Sequence, residues 1–280
     1  MVETWTAGDV AQGLRRPTAA DDKYSRGVLG VRTGSLEYPG AAVLGVEAAW
    51  RTGLGMVRYL GDAREAVLAR RPETVTADGR VQAWLVGSGT DAATRPHDET
   101  AALRVILSGA LPVVVDAGAL DLAPAATARI IVTPHAREHG RLRAALGLST
   151  APDDRVRAAT ETAHALGGVV LLKGAVTVVA DPEGRVIVVD ETTPWLATAG
   201  TGDVLGGVVG ALVAGADSGV DLVALAASAA WLHGRAGALA AAAYAPRGSQ
   251  TGSHGLTGGP ITALDVAQAL PRAVAEVLAG

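Results

Sequence analysis

"LPVVVDAGALDLAPAATARIIVTPHAREHGRL", residues 111 to 142, contains two short runs, VVVD and IIVT, that are apolar until their last residue. A strand with one wet face alternates apolar and polar side chains. Continuous apolar runs of this length instead fit strands covered on both faces, as in a parallel sheet between two layers of helices. The pattern repeats outward from here. "EYPGAAVLGVEAAWRTGLG" (37–55) has helical spacing and ends in glycines, and "MVRYL" (56–60) is a strand candidate. "AWLVGSGTD" (83–91) reads as a strand entering a glycine turn, and "GVVLLKGAVTVVADPEGRVIVVD" (168–190) as a strand followed by a hairpin around DPEG. Strands alternating with helices predict a three-layer α/β/α fold with a mostly parallel central sheet, and no linker divides residues 1–280, so one domain is expected. "RRPTAADDKYSRG" (15–27) reads as a polar, loop-like lead-in. "APRGSQTGSHGLTGGP" (245–260) reads as a mobile surface loop before a final amphipathic helix, "ITALDVAQALPRAVAEVL".

Composition narrows the function classes. Of 280 residues, 49% are hydrophobic and 19% charged, which describes a globular chain with ample core. Phe is absent and Gly numbers 36, so close packing of elements is expected. The uncharged run Leu205 to Ala216 is shorter than the ~20 residues of a membrane-spanning helix, and it reads as a core helix. The N-terminus lacks the basic-then-apolar pattern of a signal peptide, and there is no Cys; a cytoplasmic location is the expectation. A net charge of -4 without basic runs disfavours nucleic acid, leaving a small-molecule ligand as the expected partner.

The candidate chemistry sits in "ATAGTGDVLGGVVGALVAGA" (197–216). If a helix begins at this glycine turn, the amides of Thr201, Gly202 and Asp203 have no intrahelical acceptors and form an anion cradle, to which Gly200 and Gly202 admit a phosphate closely. An acid there is poorly placed to bind phosphate itself. It is well placed to take a proton from a hydroxyl attacking that phosphate. The plainer alternative is that Asp203 caps the helix. The dinucleotide fingerprint G-x-G-x-x-G fails here by one residue, and no P-loop motif occurs in the chain.

"AGTGDVLGG" resembles the G-[ATS]-G-D signature of the ribokinase-like superfamily, and the surrounding motifs resemble its ADP/ATP-dependent NAD(P)H-hydrate dehydratase branch. In order these are "YPGAAVLGVEAAWRTGLGMV", "VGSGTD", "VVVDAGALDL", "VTPHAREHGRL", "VVLLKGAVTVV", "AGTGDVLGGVVGAL" and "AAWLHGRAG", together covering roughly residues 23 to 271. The resemblance implies a ribokinase-like fold and dehydration of hydrated NADH or NADPH with ADP or ATP as co-substrate and Mg2+ as cofactor. It implies Asp203 at the reacting hydroxyl, with Lys173, Gly174, Ala175, Val176, Thr177, Gly200, Thr201 and Gly202 around the nucleotide. Ala41, Gly89 and His135 would contact the hydrated dinucleotide, and Glu138 would organise Mg2+ through water. Each has a plainer alternative: helix packing for Ala41, a turn for Gly89, a solvated strand end for Lys173, a turn residue for His135. The resemblance further implies a homo-oligomer, with a tetramer as one form, and a separate epimerase as functional partner, since no fused epimerase domain is read in the chain. A small-molecule kinase of the same superfamily, or a non-catalytic nucleotide-binding protein, is the competing reading.

His135 and His139 stand four residues apart, but without the Glu of a zinc-binding helix motif; zinc is not expected. His233 reads as a satisfied core or helix-contact histidine. The sequence departs from the family pattern at Arg32, Thr33 and Gly34, where paired glycines are usual, and at Gly118 and Asp121, where Asp and Asn are usual. These departures bear on substrate contacts rather than on the fold.

Overall fold

The computed structural model describes residues 2–217, 219–245 and 258–280. In chain order the strands are β1 (Val2–Thr4), β2 (Val28–Arg32), β3 (Met56–Tyr59), β4 (Ala83–Val86), β5 (Val113–Val115), β6 (Ile130–Val132), β7 (Val169–Leu172), β8 (Thr177–Ala180) and β9 (Val186–Val189). The helices are α1 (Ala7–Gly13), α2 (Pro39–Thr52), α3 (Arg64–Arg70), α4 (His97–Leu107), α5 (Ala136–Ala145), α6 (Arg155–Leu166), α7 (Thr201–Gly215), α8 (Leu222–Ala242) and α9 (Ala263–Ala279). The strands join in one nine-stranded sheet of order β1-β9-β8-β7-β6-β5-β4-β2-β3. Only the two ladders of β8 are antiparallel: β8 and β9 form the hairpin around DPEG, and β7 and β8 are joined by the turn at residues 173–176.

The apolar runs behave as their composition requires. Val114 and Ile131 point into a core closed by α2, α7, α8 and α9, whereas Val113, Val115, Ile130 and Val132 point into a second core under α4, α5 and α6. Both faces are therefore dry, in agreement with the predicted three-layer class. Small residues let α2 and α7 approach closely: a Cβ added to Gly207 would lie 2.3 Å from the Gly45 carbonyl oxygen. The alanine- and glycine-rich composition is thus used in helix contacts.

Some elements depart from the sequence reading. Within residues 2–13, where the sequence predicts no element, β1 and α1 form; Thr6 and Asp9 make a capping box at α1, and β1 pairs with β9, about 180 residues away. Residues 15–27 are loop, as expected. Of the expected surface loop 245–260, residues 246–257 lie outside the described residues. The final helix runs through the exposed Pro271 without ending there. Helix α8, with 21 residues, is long and apolar enough to cross a membrane, but most of its apolar surface is buried against the rest of the chain.

One buried ion cluster fixes α2 against α3. Glu47 is fully buried and accepts from Arg51 Nε (2.6 Å), Arg71 Nε (2.5 Å) and Arg70 Nε (3.2 Å). Burial alone would raise its pKa, but the three guanidiniums outweigh it and hold the carboxyl at about 2, against 4.5 in the unfolded chain. Stability from this cluster is complete above the unfolded value and drains away as pH falls from 4.5 towards 2, by about 3 kcal/mol. Replacing Glu47 by Gln strands the arginines, and urea unfolding at neutral pH is expected to show a loss of about 3–5 kcal/mol.

Candidate active site

The order β3-β2-β4 places a topological switch point between β2 and β4, because the chain runs to one side of β2 and then crosses to the other. In open α/β sheets, ligands bind outside the carboxyl ends of the strands near such a point. The loops that follow β2, β4, β5, β6 and β7 all emerge there, and α7 points its N-terminus at them.

Gly200 is the N-cap of α7, in the left-handed region at φ 87°, and no side chain caps the helix. The first helical amide with a backbone acceptor is that of Val204, bonded to the Gly200 carbonyl at 3.2 Å. The preceding amides stay available as the sequence predicted. Asp203 stands at the third helical position and caps nothing, which removes the capping alternative. Thr201 serves the turn instead, donating its hydroxyl to the carbonyls of Leu196 (2.9 Å) and Thr198 (3.0 Å).

Four charged side chains meet in front of this helix. Lys173 Nζ, from the end of β7, donates to Asp116 Oδ1 at 2.9 Å and stands 3.8 Å from Glu138 Oε2. A Cβ on Gly202 would lie 3.5 Å from that same ammonium, so the lysine sits beside the helix turn. Burial first, and then the like charges of Asp116 and Glu138, push the Asp203 carboxyl up to about 6, with Lys173 offsetting part of the effect. Burial alone would lower the Lys173 pKa, but Asp116, Glu138 and Asp203 together raise it. Lysine therefore stays charged, while Asp203 exchanges its proton close to neutral pH.

Two cavities flank the cluster. The first, about 540 Å³, is lined by Lys173, Gly174, Ala175, Thr177, Thr201 and Gly202 among others, which gathers most of the expected nucleotide residues. Its remaining wall, including Val189, Pro194, Leu196 and Leu205, is largely apolar. Val176 and Gly200 do not line it: Val176 is exposed, and a Cβ on Gly200 would run into Leu44 and Ala263. The second cavity, about 780 Å³, is lined by Tyr38, Gly89, Glu138 and Arg141, among others. Gly89 has φ +69°, and a Cβ there would come within 2.6 Å of Ala41 Cβ, so these two expected contacts meet at the start of α2.

His135 faces the first cavity, beside the nucleotide residues, although it was grouped with the dinucleotide contacts. It is the N-cap of α5: Nδ1 accepts from the amides of Arg137 (3.1 Å) and Glu138 (3.3 Å), and the Glu138 carboxylate accepts from the His135 amide at 2.8 Å. His135 and Glu138 thus form the partition between the cavities. His139 turns away to Thr162, with Nε2 2.8 Å from its hydroxyl oxygen. His233 makes a helix contact but is not satisfied: it lines the first cavity, and its buried Nε2 has no partner among the described residues. Burial lowers its pKa to about 4, so it is neutral.

Four of the five departures have local partners or packing reasons, whereas the buried Thr33 hydroxyl has no hydrogen-bond partner among the described residues, and nothing in the structure explains it. Arg32 pairs with Glu99, and the Gly34 amide donates to the Ser88 carbonyl at 2.6 Å, so this loop braces the turn that carries Gly89. A side chain at Gly118 would meet the Thr90 carbonyl at 2.0 Å, while Arg95, almost wholly buried, donates to the Gly118 carbonyl and pairs with Asp121 at 2.8 Å. The sequence reading left Asp116 out of the site, together with Arg155, whose guanidinium donates to the carbonyls of Leu172 (3.1 Å), Lys173 (3.2 Å) and Val176 (3.3 Å). The acid closing VVVD was a visible signal for the first. Nothing in the sequence marked the second.

The sequence model of the family described as NAD(P)H-hydrate dehydratase matches residues 29–254. Over 255 residues the chain is 46% identical to the Mycobacterium leprae "Bifunctional NAD(P)H-hydrate repair enzyme Nnr", covering 86% of this chain and 51% of that protein. It is 37% identical over 236 residues to the Neisseria meningitidis "ADP-dependent (S)-NAD(P)H-hydrate dehydratase", covering 76% of this chain and 77% of the relative. The chain therefore spans about half the length of the mycobacterial relative. The Bacillus subtilis ADP/ATP-dependent NAD(P)H-hydrate dehydratase, co-crystallised with ATP/Mg2+, superposes with a TM-score of 0.81 at 26% identity, covering 99% of both chains.

The Asp203 shift has a consequence for stability. With a folded pKa of about 6 against 3.8 unfolded, the fold favours the protonated acid, and stability declines as pH rises through that interval. Thermal unfolding at pH 7.5 is expected to show Asp203→Asn more stable than the parent by roughly 1–3 kcal/mol. A destabilised variant would contradict the electrostatics described for the cluster.

Proposed function

The chain belongs to the NAD(P)H-hydrate dehydratase family, and from that premise we propose that it restores NADH or NADPH from their hydrates at the expense of ADP or ATP. The observation that carries the reading is the half-buried Asp203, at the third position of an uncapped helix N-terminus, interacting by charge with Lys173, which lines the first cavity, and with Glu138, which lines the second. The first cavity takes the nucleotide, with its phosphates directed at the amides of 201–203. The second takes the hydrated dinucleotide, with its ring hydroxyl next to Asp203.

Asp203 accepts the hydroxyl proton as the oxygen attacks the terminal phosphorus, and its raised pKa matches that task near neutral pH. The nucleotide departs one phosphate shorter. The ring nitrogen lone pair then expels inorganic phosphate, and loss of a proton from the adjacent ring carbon restores the double bond. Lys173 and the helix amides neutralise charge on the phosphoryl oxygens, where most of the barrier lowering is expected.

Mg2+ fits this site only as an ion shared with phosphates and water. Among the described residues no group of three or more candidate ligands could hold a metal, and Lys173 already occupies the space between Asp116 and Glu138. Mg2+ commonly uses one or two carboxylates plus substrate phosphates and keeps its waters, which assigns Glu138 as a water-mediated holder. When bound, the ion supplies further charge neutralisation on the phosphates. The nucleotide and Mg2+ of the Bacillus relative and the ADP dependence of the Neisseria relative support this choice of co-substrates. We further propose that residues 1–280 act as one catalytic unit, in the cytoplasm and as a homo-oligomer, beside a separate epimerase that interconverts the two hydrates.

The deciding assay follows the absorbance band of reduced nicotinamide after mixing protein, Mg2+, hydrated dinucleotide and either ADP or ATP. Recovery of the band with nucleotide but not without it is expected, and Asp203→Asn should lower the rate by at least about 100-fold while still binding nucleotide. Wild-type turnover by that variant would refute the role of Asp203. A stable phosphorylated product would instead identify a kinase.

A further inference from the structure

Of the 24 basic side chains in the sequence, only Lys23 and Lys173 are lysines. Lys23 lies in the loop before β2, with its ammonium 5.3 Å from the centre of the Tyr24 ring. Lys173 is the cation of the candidate site. A guanidinium is a broad planar fork, whereas an ammonium is a compact point charge that fits a confined space. Here the space is confined by Asp116 at 2.9 Å, Glu138 at 3.8 Å and the α7 turn at Gly202.

Asp116 lines neither cavity, yet it is 2% exposed and has partners on both carboxylate oxygens. Oδ1 accepts from Thr133 Oγ1 (2.7 Å) as well as from Lys173, and Oδ2 accepts from Ser88 Oγ (2.9 Å). Each donor belongs to a different strand end: Ser88 follows β4, Thr133 follows β6 and Lys173 follows β7, while Asp116 itself follows β5. With its other bonds fixed to the sheet, the carboxylate holds the flexible lysine stem in one place.

We propose that Asp116 is a positioning residue that acts through Lys173, holding the ammonium beside Gly202, where the terminal phosphate of the nucleotide arrives. The identity of that phosphate rests on the dehydratase reading; the placement of the lysine does not. A merely structural Asp116 would tie the strand ends together with no particular effect on phosphoryl transfer.

Two readouts separate these roles. In the ligand-free protein, reductive 13C-methylation labels two lysines and the N-terminus, and NMR relaxation reports how tightly each methylated ammonium is held. Asp116→Asn should raise the mobility of the Lys173 methyl groups and leave that of Lys23 in place; an unchanged Lys173 mobility overturns the proposal. In the turnover assay with Mg2+ and ADP or ATP, Asp116→Asn should lower kcat by about 100-fold, the scale on which small misplacements act, with a much smaller change in the KM for nucleotide. Lys173→Arg, which keeps the charge and loses the placement, should show the same split, and wild-type kcat in either variant overturns the proposal. Should Asp116→Asn fail to fold, Thr133→Val removes one donor from the same carboxylate, and its kcat must fall at unchanged KM. If the wild-type protein dehydrates neither substrate, the dehydratase reading fails, and the Lys173 mobility alone decides the positioning claim.

Discussion

A parallel sheet that is dry on both faces delivers the carboxyl ends of β4, β5, β6 and β7 to one edge, and a single buried carboxylate, Asp116, bonds the residues that follow them. Burying an ion pair is unfavourable unless the remaining lone pairs find donors, and here they do. The rest of the site is arranged around that junction: the lysine it holds, the helix terminus beside the lysine and the acid at the third position of that helix.

The same arrangement creates electrostatic tension. Three carboxylates, Asp116, Glu138 and Asp203, converge on one ammonium, and the tension falls on Asp203, the member without a direct ion-pair contact. Its raised pKa is a cost to the folded state and an advantage to a proton acceptor. Negative charge accumulating in front of α7 would also repel a polyphosphate, which is why the free helix amides and a phosphate-bound Mg2+ belong to the same reading. The Glu47 cluster is the opposite case, because its three arginines oversupply positive charge to one carboxylate.

Four positions where the chain departs from its family pattern, Arg32, Gly34, Gly118 and Asp121, have contacts nearby that hold their loops in place. Arg95 supplies hydrogen bonds to the Gly118 carbonyl and a counter-charge to Asp121, so loss of an acid at 118 and gain of one at 121 are balanced by one buried guanidinium. Gly34 ties its loop to Ser88, one residue from Gly89.

Much of this was legible in the linear sequence, for a physical reason: dry strands must be continuously apolar, helix starts need glycine or capping residues, and both leave local marks. VVVD, IIVT, the DPEG hairpin, the uncapped turn before Asp203 and the lysine after VVLL all lie in the structure where those marks place them. What depends on distant partners left no such mark. The pairing of β1 with β9, the bonds of Arg155 to the Lys173 turn, the unsatisfied nitrogen of His233 and the convergence of Ser88, Thr133 and Lys173 on Asp116 are contacts between residues far apart in the chain. Local chemistry determined which elements form and which side chains are reactive. Only the tertiary structure decided which of them meet, because that choice is made by the order in which strands pack into the sheet.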